Sequence, residues 1–424
     1  MINDNRIVIT GVGPLSSIGI GKDALWQSIA SEKTGLAYKD FFVHGEKIDT
    51  LYTYEIKNFD IHDLGIDQAF LNDIDTWKEG KEWTDLSFLL AATKLALDDS
   101  GLSRNLDKNK TGLILAHESP GLDQFYTSIF KEMLSSSQKK KDFKTFFKQF
   151  GKAAYDLQTF MFLYHVTRSL DLHGYSLFLN NACASGLYAL EAAADVIRTG
   201  KCDTMVVAIA DCVSLYKASW FKELGMYPED GKIKPFAKDR KGFVIGDGSA
   251  GIVLERLEGA LKRKAHIYAE YLGAGFNLEG WKVSIPSIAS DSYKIAIDNA
   301  LKNAHLDKES IDLIVPHGVG TSISDAYEAK TMTDIFGKDF KRPFLTCLKP
   351  YIGHTLGSNA LLETIVLLMS LQNNIIPPTL NFQEPDPKLY VSPLKEQIKT
   401  ELKTVMKTSC GFAGFNGATI LRKV

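Results

Sequence analysis

The sequence predicts an α/β protein made of two similar halves. Short apolar runs typical of strands occur at residues 6–10, 112–116, 204–210, 243–255 and 311–315. They alternate with longer helical segments, a pattern that favours strands and helices packed in layers. A charged stretch at residues 256–266 separates the two parts of the chain. We therefore predict one half at residues 1–255 and a second half at residues 256–424.

Each predicted half follows the same plan, which is the second observation behind this fold class. A strand ends in small residues, and a later helix rich in small residues follows a reactive side chain. These segments are residues 112–121 and 181–197 in the first half, and 311–321 and 353–371 in the second. The pattern indicates an internal duplication. Residues 120–170, rich in Phe, Lys and Ser, are interpreted as a helical insertion.

The composition excludes several classes of protein. A chain of 424 residues, 45% of them hydrophobic, can bury a large core. Its formal net charge of -2 gives no general attraction for nucleic acid, so we expect no nucleic-acid partner. The most apolar run, residues 365–371, is shorter than the roughly 20 residues that a membrane span requires. We therefore expect no membrane span.

The cysteine count and the N-terminus predict the cellular location. The chain has five cysteines, an odd number without a C-x-x-C pair, which favours neither a disulfide framework nor a zinc site. The N-terminal residues show no export signal. We predict a cytoplasmic protein without a bound metal.

The strongest local motif surrounds Cys183. The sequence Asn-Asn-Ala-Cys-Ala-Ser-Gly at residues 180–186 lies between the apolar run 175–179 and a helix predicted to begin near Ser185. A cysteine at such a junction is close to backbone N–H groups and to the positive end of the helix dipole, which favours the thiolate. The same N–H groups could bind an oxyanion. A lone cysteine among small residues is nevertheless more often a buried structural thiol.

Two histidines make the reactive interpretation of the cysteine stronger. His317 follows an apolar strand in the sequence Val-Pro-His-Gly-Val-Gly-Thr, and Asp325 and Glu328 lie beyond it. His354 lies in Tyr-Ile-Gly-His-Thr-Leu-Gly, where a strand end again precedes a helix. Glycines next to a histidine leave space for a ligand. Taken singly, each histidine is more often a satisfied core or surface residue.

Together these motifs resemble those of the β-ketoacyl-acyl carrier protein synthases, condensing enzymes of the thiolase superfamily. The resemblance includes the cysteine and histidine segments, the block at residues 234–248, the glycine-rich segment 411–417 and the opening Ile-Thr-Gly-Val-Gly at 9–13. It therefore covers nearly the whole chain. It implies a thiolase-like fold of five layers, α-β-α-β-α, in which the reactive residues meet at the seam between the two halves.

The resemblance also implies a role for each matching residue. Cys183 is expected to be the acyl-accepting nucleophile, and His317 and His354 to form the decarboxylation site. Lys349 is expected to support them by its charge, with Glu363 as its partner. The remaining expectations are a gating role for Phe412, an oxyanion hole from the N–H groups of Cys183 and Phe412, a supporting role for Asn416, and binding of substrate or its pantetheine arm by Thr321, Gly414 and Phe415.

The implied activity is decarboxylative Claisen condensation of an acyl thioester with malonyl-acyl carrier protein. It would serve fatty acid synthesis or specialised polyene or polyketide synthesis. No cofactor is implied beyond the phosphopantetheine arm of the carrier protein. The implied partners are acyl carrier protein and a second subunit, in a homodimer or in a heterodimer with a related synthase.

Three features depart from the family pattern. Val319 stands where the family usually has the first threonine of a Thr-x-Thr pair, and Thr321 alone remains. Binding of the carrier arm is therefore expected to be altered. Cys410 and Phe415 stand beside the final glycine loop where the family commonly has other residues, which favours a pocket shaped for an unusual acyl chain. Residues 120–170 match the family poorly.

Other interpretations of the sequence remain open. Residues 246–251 satisfy G-x-G-x-x-G, but apolar residues follow directly, so we interpret the glycines as a turn between strands and not as a dinucleotide site. A thiolase-like enzyme acting on coenzyme A thioesters is one alternative function, although no second catalytic cysteine accompanies the histidines. A non-catalytic partner subunit that shapes chain length is the other.

Overall fold

A computed structural model describes residues 6–43, 45–72, 84–103, 106–118 and 158–424. The insertion predicted at 120–170 lies outside the described residues as far as residue 157. The strands are β1 (Ile7–Ser16), β2 (Gly19–Ile20), β3 (Leu36–Val43), β4 (Glu46–Tyr54), β5 (Thr111–Ala116), β6 (Ser176–Leu179), β7 (Thr204–Asp211), β8 (Gly248–Arg256), β9 (Ala269–Leu278), β10 (Leu313–Val315), β11 (Phe344–Leu345), β12 (Ile375–Ile376), β13 (Ile398–Lys399), β14 (Thr404–Cys410) and β15 (Phe415–Arg422). The α-helices are α1 (Lys22–Ala30), α2 (Thr84–Ser100), α3 (Thr159–Leu170), α4 (Ser185–Arg198), α5 (Leu215–Glu223), α6 (Leu257–Lys262), α7 (Ser292–Asn303), α8 (Ser322–Phe336), α9 (Lys349–Ile352) and α10 (Asn359–Asn373).

One large mixed sheet runs through the described part of the molecule. Its strand order is β11-β10-β14-β15-β9-β1-β8-β7-β5-β6, and β2 pairs with β1. On one side of the centre, β1, β8 and β7 are antiparallel, whereas β7, β5 and β6 are parallel. On the other side, β9, β15 and β14 are antiparallel, whereas β14, β10 and β11 are parallel. The two sides join where residues 7–9 pair with residues 269–271.

The two sides of the sheet repeat one topology. In chain order the first half runs β1, α2, β5, β6, α4, β7, β8, and the second half runs β9, α7, β10, β11, α10, β14, β15. Corresponding strands pair in the same order and direction. The predicted pair of duplicated halves is therefore confirmed at the level of topology. We retain the division after residue 255 as a proposal, since β8 ends at Arg256 and α6 follows it.

Alternation along the strands builds a five-layered structure. In β7, Met205, Val207 and Ile209 pack on one face with α4 and α10, whereas alternate residues of the strand pack on the opposite face with α2 and α3. In the second half, β14 and β15 pack on one face against the same central layer and on the other face against α7 and α8. The layers are thus α2/α3, half-sheet, α4/α10, half-sheet and α7/α8. The predicted five-layered α/β fold is confirmed.

The central helix α10 is buried on all sides because both half-sheets cover it. Every residue from Asn359 to Leu371 is buried. A helix with a continuous buried surface of this kind belongs to the core. Among the described residues, no helix is long and apolar enough to cross a membrane.

Two local interpretations of the sequence were wrong. The strand predicted at 243–255 begins only at Gly248, and the glycines at 248 and 251 lie inside β8 instead of forming a turn between strands. Gly251 is a glycine for reasons of packing, since a Cβ there would lie 2.2 Å from the carbonyl oxygen of Ala92 in α2. No helix follows these glycines directly, because β8 continues to Arg256.

Equivalent glycines let one helix approach the sheet in each half. A Cβ on Gly13 of β1 would lie 2.3 Å from the carbonyl oxygen of Ala92 in α2. A Cβ on Gly275 of β9 would lie 2.2 Å from the carbonyl oxygen of Ala296 in α7. Neither backbone has room to retreat inside a close-packed layer. The duplicated halves therefore share this strand–helix contact as well as their topology.

Gly13→Ala is expected to lower the free energy of unfolding by about 1–3 kcal/mol or more, because the new methyl group overlaps helix α2. Gly259→Ala, in helix α6, is the matched control, since a Cβ there would meet nothing within 4 Å. That control is expected to leave stability unchanged or to raise it by up to about 1 kcal/mol. Urea unfolding followed by tryptophan fluorescence measures both. Equal midpoints for the two variants would contradict the close strand–helix contact.

Candidate active site

Cys183 lies in a tight turn between β6 and α4. Ala182, just before it, has a φ of 49°, in the left-handed region that non-glycine residues seldom adopt. Ser185 fixes this turn: its hydroxyl donates to the Ala182 carbonyl oxygen at 2.6 Å and accepts the Asn181 N–H at 2.8 Å. Gly186 lets the start of α4 approach α10, since a Cβ there would lie 3.0 Å from the Leu361 nitrogen. The sulfur is thereby brought to the second half.

His317 follows β10, and buried charges hold the peptide groups around it. Glu328 of α8 accepts the N–H of His317 and the N–H of Gly318, each at 2.7 Å. The Tyr293 hydroxyl of α7 donates to the same carboxylate at 2.7 Å. On the other side, the Lys349 amine donates to the His317 carbonyl oxygen. The position of the imidazole is therefore fixed by ionic groups from two separate elements.

His354 lies between α9 and α10. Its N–H donates to the Val244 carbonyl oxygen at 2.8 Å. Its ring Nδ1 lies 2.9 Å from Oδ1 of Asn359, and the Thr355 N–H donates to that same oxygen at 3.2 Å. Because an oxygen that accepts from Thr355 can only accept from the ring as well, Nδ1 carries the hydrogen. The other ring nitrogen, Nε2, then has a free lone pair.

The three predicted catalytic side chains meet at the seam between the halves. The sulfur of Cys183 lies 3.5 Å from Nε2 of His354. The rings of His317 and His354 have centroids 5.4 Å apart and are nearly perpendicular, at 80°. The Ser409 hydroxyl connects two of the three segments: it donates to the Cys183 carbonyl oxygen at 3.1 Å and lies 3.5 Å from Nδ1 of His317.

A buried group of three charges lies behind the histidines. The Glu363 carboxylate lies 3.2 Å from the Lys349 amine and 2.7 Å from the Lys407 amine. All three side chains are buried. The Lys407 amine also donates to the carbonyl oxygens of Thr408 at 2.6 Å and of Pro316 at 3.2 Å. With both amines charged, the group carries one net positive charge.

Burial and these charges determine the protonation of the two histidines. Burial lowers the pKa of His317 well below its usual 6.5, and the positive charges of Lys349 and Lys407 lower it further. Burial lowers the pKa of His354 in the same way, again with Lys349 as the largest charge. Both imidazoles are therefore neutral at physiological pH.

The prediction that the helix terminus favours a thiolate was wrong for the resting protein. Burial raises the pKa of the Cys183 thiol well above its usual 9.0, and the charge of Glu118 raises it further. The Lys349 charge and a hydrogen bond from the Phe412 N–H oppose this shift without reversing it. The sulfur therefore carries its proton at rest, and the Nε2 lone pair of His354 is the acceptor beside it.

The glycine-rich loop at 411–414 closes one side of the site. Ala413 has a φ of 60°, and its N–H donates to the Val283 carbonyl oxygen at 2.6 Å. A Cβ on Gly411 would lie 3.2 Å from the Cys183 nitrogen. The missing side chain of Gly411 thus leaves space next to the N–H groups of Cys183 and Phe412.

A narrow cavity opens onto these groups and is lined by residues of both halves. The predicted residues Phe412, Thr321, Gly414 and Asn416 line it together with Cys183, His317 and His354. Lys349 and Glu363 lie behind the histidines and do not line it. The Phe415 ring instead packs edge-on against Tyr188, with centroids 6.0 Å apart, and is not among the lining residues.

Three functional side chains were missed by the sequence analysis. Ser409 and Lys407 lie in strand β14, whose mixed sequence of polar and apolar residues gave no sign of their contacts. Asn359 stands five residues after His354, in a segment that predicts only a helix start. Glu328 was noted beyond His317, but its contacts with the backbone were not predicted. Of these residues, Asn359 is the one that the sequence could have indicated, because it lies only five positions after His354.

Comparison with known proteins gives the family. Models of the N-terminal and C-terminal domains of β-ketoacyl synthase match residues 4–260 and 268–383. The chain belongs to the β-ketoacyl synthase family. It is therefore related to acyltransferase-type condensing enzymes, as the resemblance of its motifs predicted.

The matches to relatives and to solved structures span nearly the full length of both chains. The 3-oxoacyl-[acyl-carrier-protein] synthase 2 of Coxiella burnetii is 27% identical over 428 residues, 99% of each chain. Nodulation protein E of Rhizobium leguminosarum bv. trifolii is 27% identical over 427 residues, 99% of this chain and 100% of the relative. The structure of the ishigamide ketosynthase/chain length factor superposes with a TM-score of 0.88 at 26% identity, covering 99% of this chain and 100% of that one.

Glu363→Gln is expected to lower the free energy of unfolding by about 3–5 kcal/mol, because it leaves two buried lysines without their anion. Glu384→Gln is the matched control. Glu384 pairs with Lys238 at 3.2 Å, but the two side chains are 70% and 60% exposed, so a change below about 1 kcal/mol is expected. Urea unfolding measures both variants. Equal losses would contradict the central place of Glu363 in the buried charge group.

Proposed function

We propose that this β-ketoacyl synthase condenses an acyl thioester with a malonyl thioester carried on acyl carrier protein, with loss of carbon dioxide. The observation that carries the proposal is the convergence of one thiol and two neutral imidazoles on one cavity. The Cys183 sulfur lies 3.5 Å from Nε2 of His354, and the His317 ring lies beside that histidine. A nucleophile next to a base is the arrangement that acyl transfer requires.

In the first step the acyl group moves to Cys183. The S–H proton passes to Nε2 of His354 as the sulfur attacks the thioester carbonyl. The negative charge that develops on the carbonyl oxygen is stabilised by the N–H groups of Cys183 and Phe412. The leaving pantetheine thiolate then takes the proton from His354. The acyl group is now bound to Cys183 as a new thioester.

In the second step the malonyl group loses carbon dioxide. The bond between the carboxylate and the α-carbon breaks, and its electron pair forms an enolate. N–H donors from His317 and His354 stabilise the charge on the enolate oxygen, each contributing about 3 kcal/mol in comparable oxyanion sites. The enolate carbon attacks the acyl carbonyl, and Cys183 leaves as a thiolate that takes up a proton.

Thr321 is proposed to bind the pantetheine arm. Its hydroxyl oxygen is buried without a hydrogen-bond partner, and the residue lines the cavity. Val319, also in the cavity wall, offers no hydroxyl. Of the two hydroxyl groups that a Thr-x-Thr pair would offer to the arm, only the hydroxyl of Thr321 therefore remains.

The proposed partners follow from the relatives. The Coxiella burnetii relative is named for its acyl carrier protein substrate, and the ishigamide structure is named as a ketosynthase/chain length factor. We propose acyl carrier protein as the substrate carrier and a second subunit of this fold, identical or related, as the structural partner. A purely non-catalytic role would not require the neutral histidine pair beside the cysteine.

Cys183→Ala is expected to abolish transfer of an acyl group to the protein. Cys183 is within hydrogen-bond distance of His354, whereas Cys410, which also lines the cavity, makes no such contact in the described part of the chain. Intact-protein mass spectrometry after incubation with acyl carrier protein substrates measures the added mass. Cys202→Ala, a buried cysteine of the core outside the cavity, is the matched control and should load normally. Acylation of the Cys183→Ala variant would contradict the assignment of Cys183 as the nucleophile.

The rate of carbon dioxide release is expected to remain level as the pH falls through 6.5, the ordinary pKa of histidine. The pKa values of His317 and His354 are depressed, so the neutral imidazoles persist below pH 6.5 and are lost only at lower pH. Initial rates with malonyl carrier protein between about pH 5 and pH 8 test this. Loss of half the activity near pH 6.5 would contradict the neutral histidine pair.

A further inference from the structure

Asn359 presents an unused donor next to His354, on the side of the ring that carries Nδ1. Its Oδ1 accepts from His354 Nδ1 at 2.9 Å and from the Thr355 N–H at 3.2 Å. Its Nδ2 is buried and has no hydrogen-bond partner. Buried amide hydrogens without a partner are uncommon and costly, so their presence at a catalytic histidine calls for an explanation.

The two steps of the proposed reaction require different forms of His354. Acyl transfer needs a lone pair on Nε2, which takes the proton of Cys183. Stabilisation of the enolate needs a hydrogen on Nε2, which donates to the enolate oxygen. In a neutral imidazole only one ring nitrogen carries a hydrogen. The hydrogen must therefore lie on Nδ1 in the first step and on Nε2 in the second. The exchange is neutral overall: between the two substrates, water entering the cavity gives a proton to Nε2, and the Nδ1 proton is released to water.

The Asn359 amide can support either form. In the orientation described above, Oδ1 accepts from Nδ1–H and leaves Nε2 as the base. A half-turn of the amide exchanges the two ends of a group with nearly the same shape. The Nδ2 hydrogens would then donate to Nδ1, and the ring hydrogen would lie on Nε2. This orientation gives the unused donor a partner, while the Thr355 N–H loses its acceptor.

The neighbour of Nε2 changes between the two steps and favours one orientation in each. Before loading, Nε2 faces the thiol of Cys183 at 3.5 Å, which is a hydrogen-bond donor. After loading, the sulfur no longer carries a hydrogen, and the oxygen of the incoming malonyl thioester is an acceptor. A donor beside Nε2 favours the lone pair there, and an acceptor favours the hydrogen.

We propose that Asn359 is a positioning residue that selects the tautomer of His354 and turns its amide between acyl transfer and decarboxylation. The inference rests on the proposed function, because it needs both half-reactions to occur at this histidine. Asn359 acts only through the imidazole, and it is not among the residues that line the cavity.

Nitrogen NMR of the protein labelled with ¹⁵N-histidine tests the proposal in the unaltered chain. A His354→Gln variant assigns the signals. The resting protein is expected to show hydrogen on Nδ1 of His354, and the protein acylated on Cys183 and supplied with a non-decarboxylating malonyl analogue is expected to show hydrogen on Nε2. One tautomer in both states would overturn the proposal. Failure of Cys183 to acylate would instead count against the proposed function.

The Asn359→Asp variant provides a kinetic test. A carboxylate only accepts, so it fixes the hydrogen on Nδ1. Loading of Cys183 is expected to stay within about threefold of the unaltered rate, whereas carbon dioxide release falls about tenfold or more. Asn373→Asp, at the other end of α10, is the matched control and should change neither rate. Equal losses in both half-reactions of Asn359→Asp would indicate a structural role alone and overturn the proposal.

Discussion

The active site depends on a peptide segment held from both sides by buried ions. Glu328 binds the N–H groups of His317 and Gly318, and Lys349 binds the His317 carbonyl oxygen. These ions are supplied by α8 and α9, and Glu363 of α10 holds the lysine in turn. In a buried setting such charge-assisted hydrogen bonds are strong and leave little freedom of position. The imidazole is therefore fixed before any substrate arrives.

The same burial sets the chemistry of the site. It keeps both imidazoles neutral, since the pKa values of His317 and His354 are lowered, and it keeps the thiol of Cys183 protonated. A neutral base beside a neutral acid avoids a buried, permanently charged pair. The helix terminus behind Cys183 does not outweigh the loss of solvation of a thiolate. Charge would then develop only when a thioester enters. Its carbonyl oxygen would be met by the N–H groups of Cys183 and Phe412, which are already in position.

The sequence could predict which side chains meet at the cavity but not the contacts that hold them there. Cys183 and His317 follow strands and stand among small residues, and that pattern is local. The strand end predicted before His354 was wrong, since helix α9 precedes it, but the adjacent Gly353 still marks the position. Lys407 and Ser409 are alternate residues of β14, and their strand pattern does not reveal that both face the seam. The alternation of side chains between the two faces of a strand also explains why Phe415 was wrongly expected in the cavity wall. It and Asn416 are consecutive residues of β15, so one packs against Tyr188 and the other against Ser292.

The duplication shows how one scaffold yields two different histidines. His117 follows β5 in the first half, as His317 follows the equivalent β10 in the second. His117 lies 3.2 Å from Asp211 and 3.3 Å from Asp85. Burial lowers its pKa, but these two carboxylates outweigh burial and raise the pKa to about 9. His117 is thus held as a buried cation, outside the residues that line the cavity.

Beyond β10 in the second half, the charges that shift the pKa of the histidine are those of lysines and not of aspartates. The charges of Lys349 and Lys407 act in the same direction as burial and keep His317 neutral. Backbone geometry alone therefore does not make a strand-end histidine reactive in this fold. Burial and the buried charges that act on the ring together decide whether the imidazole is a fixed cation or a neutral hydrogen-bond donor at the seam.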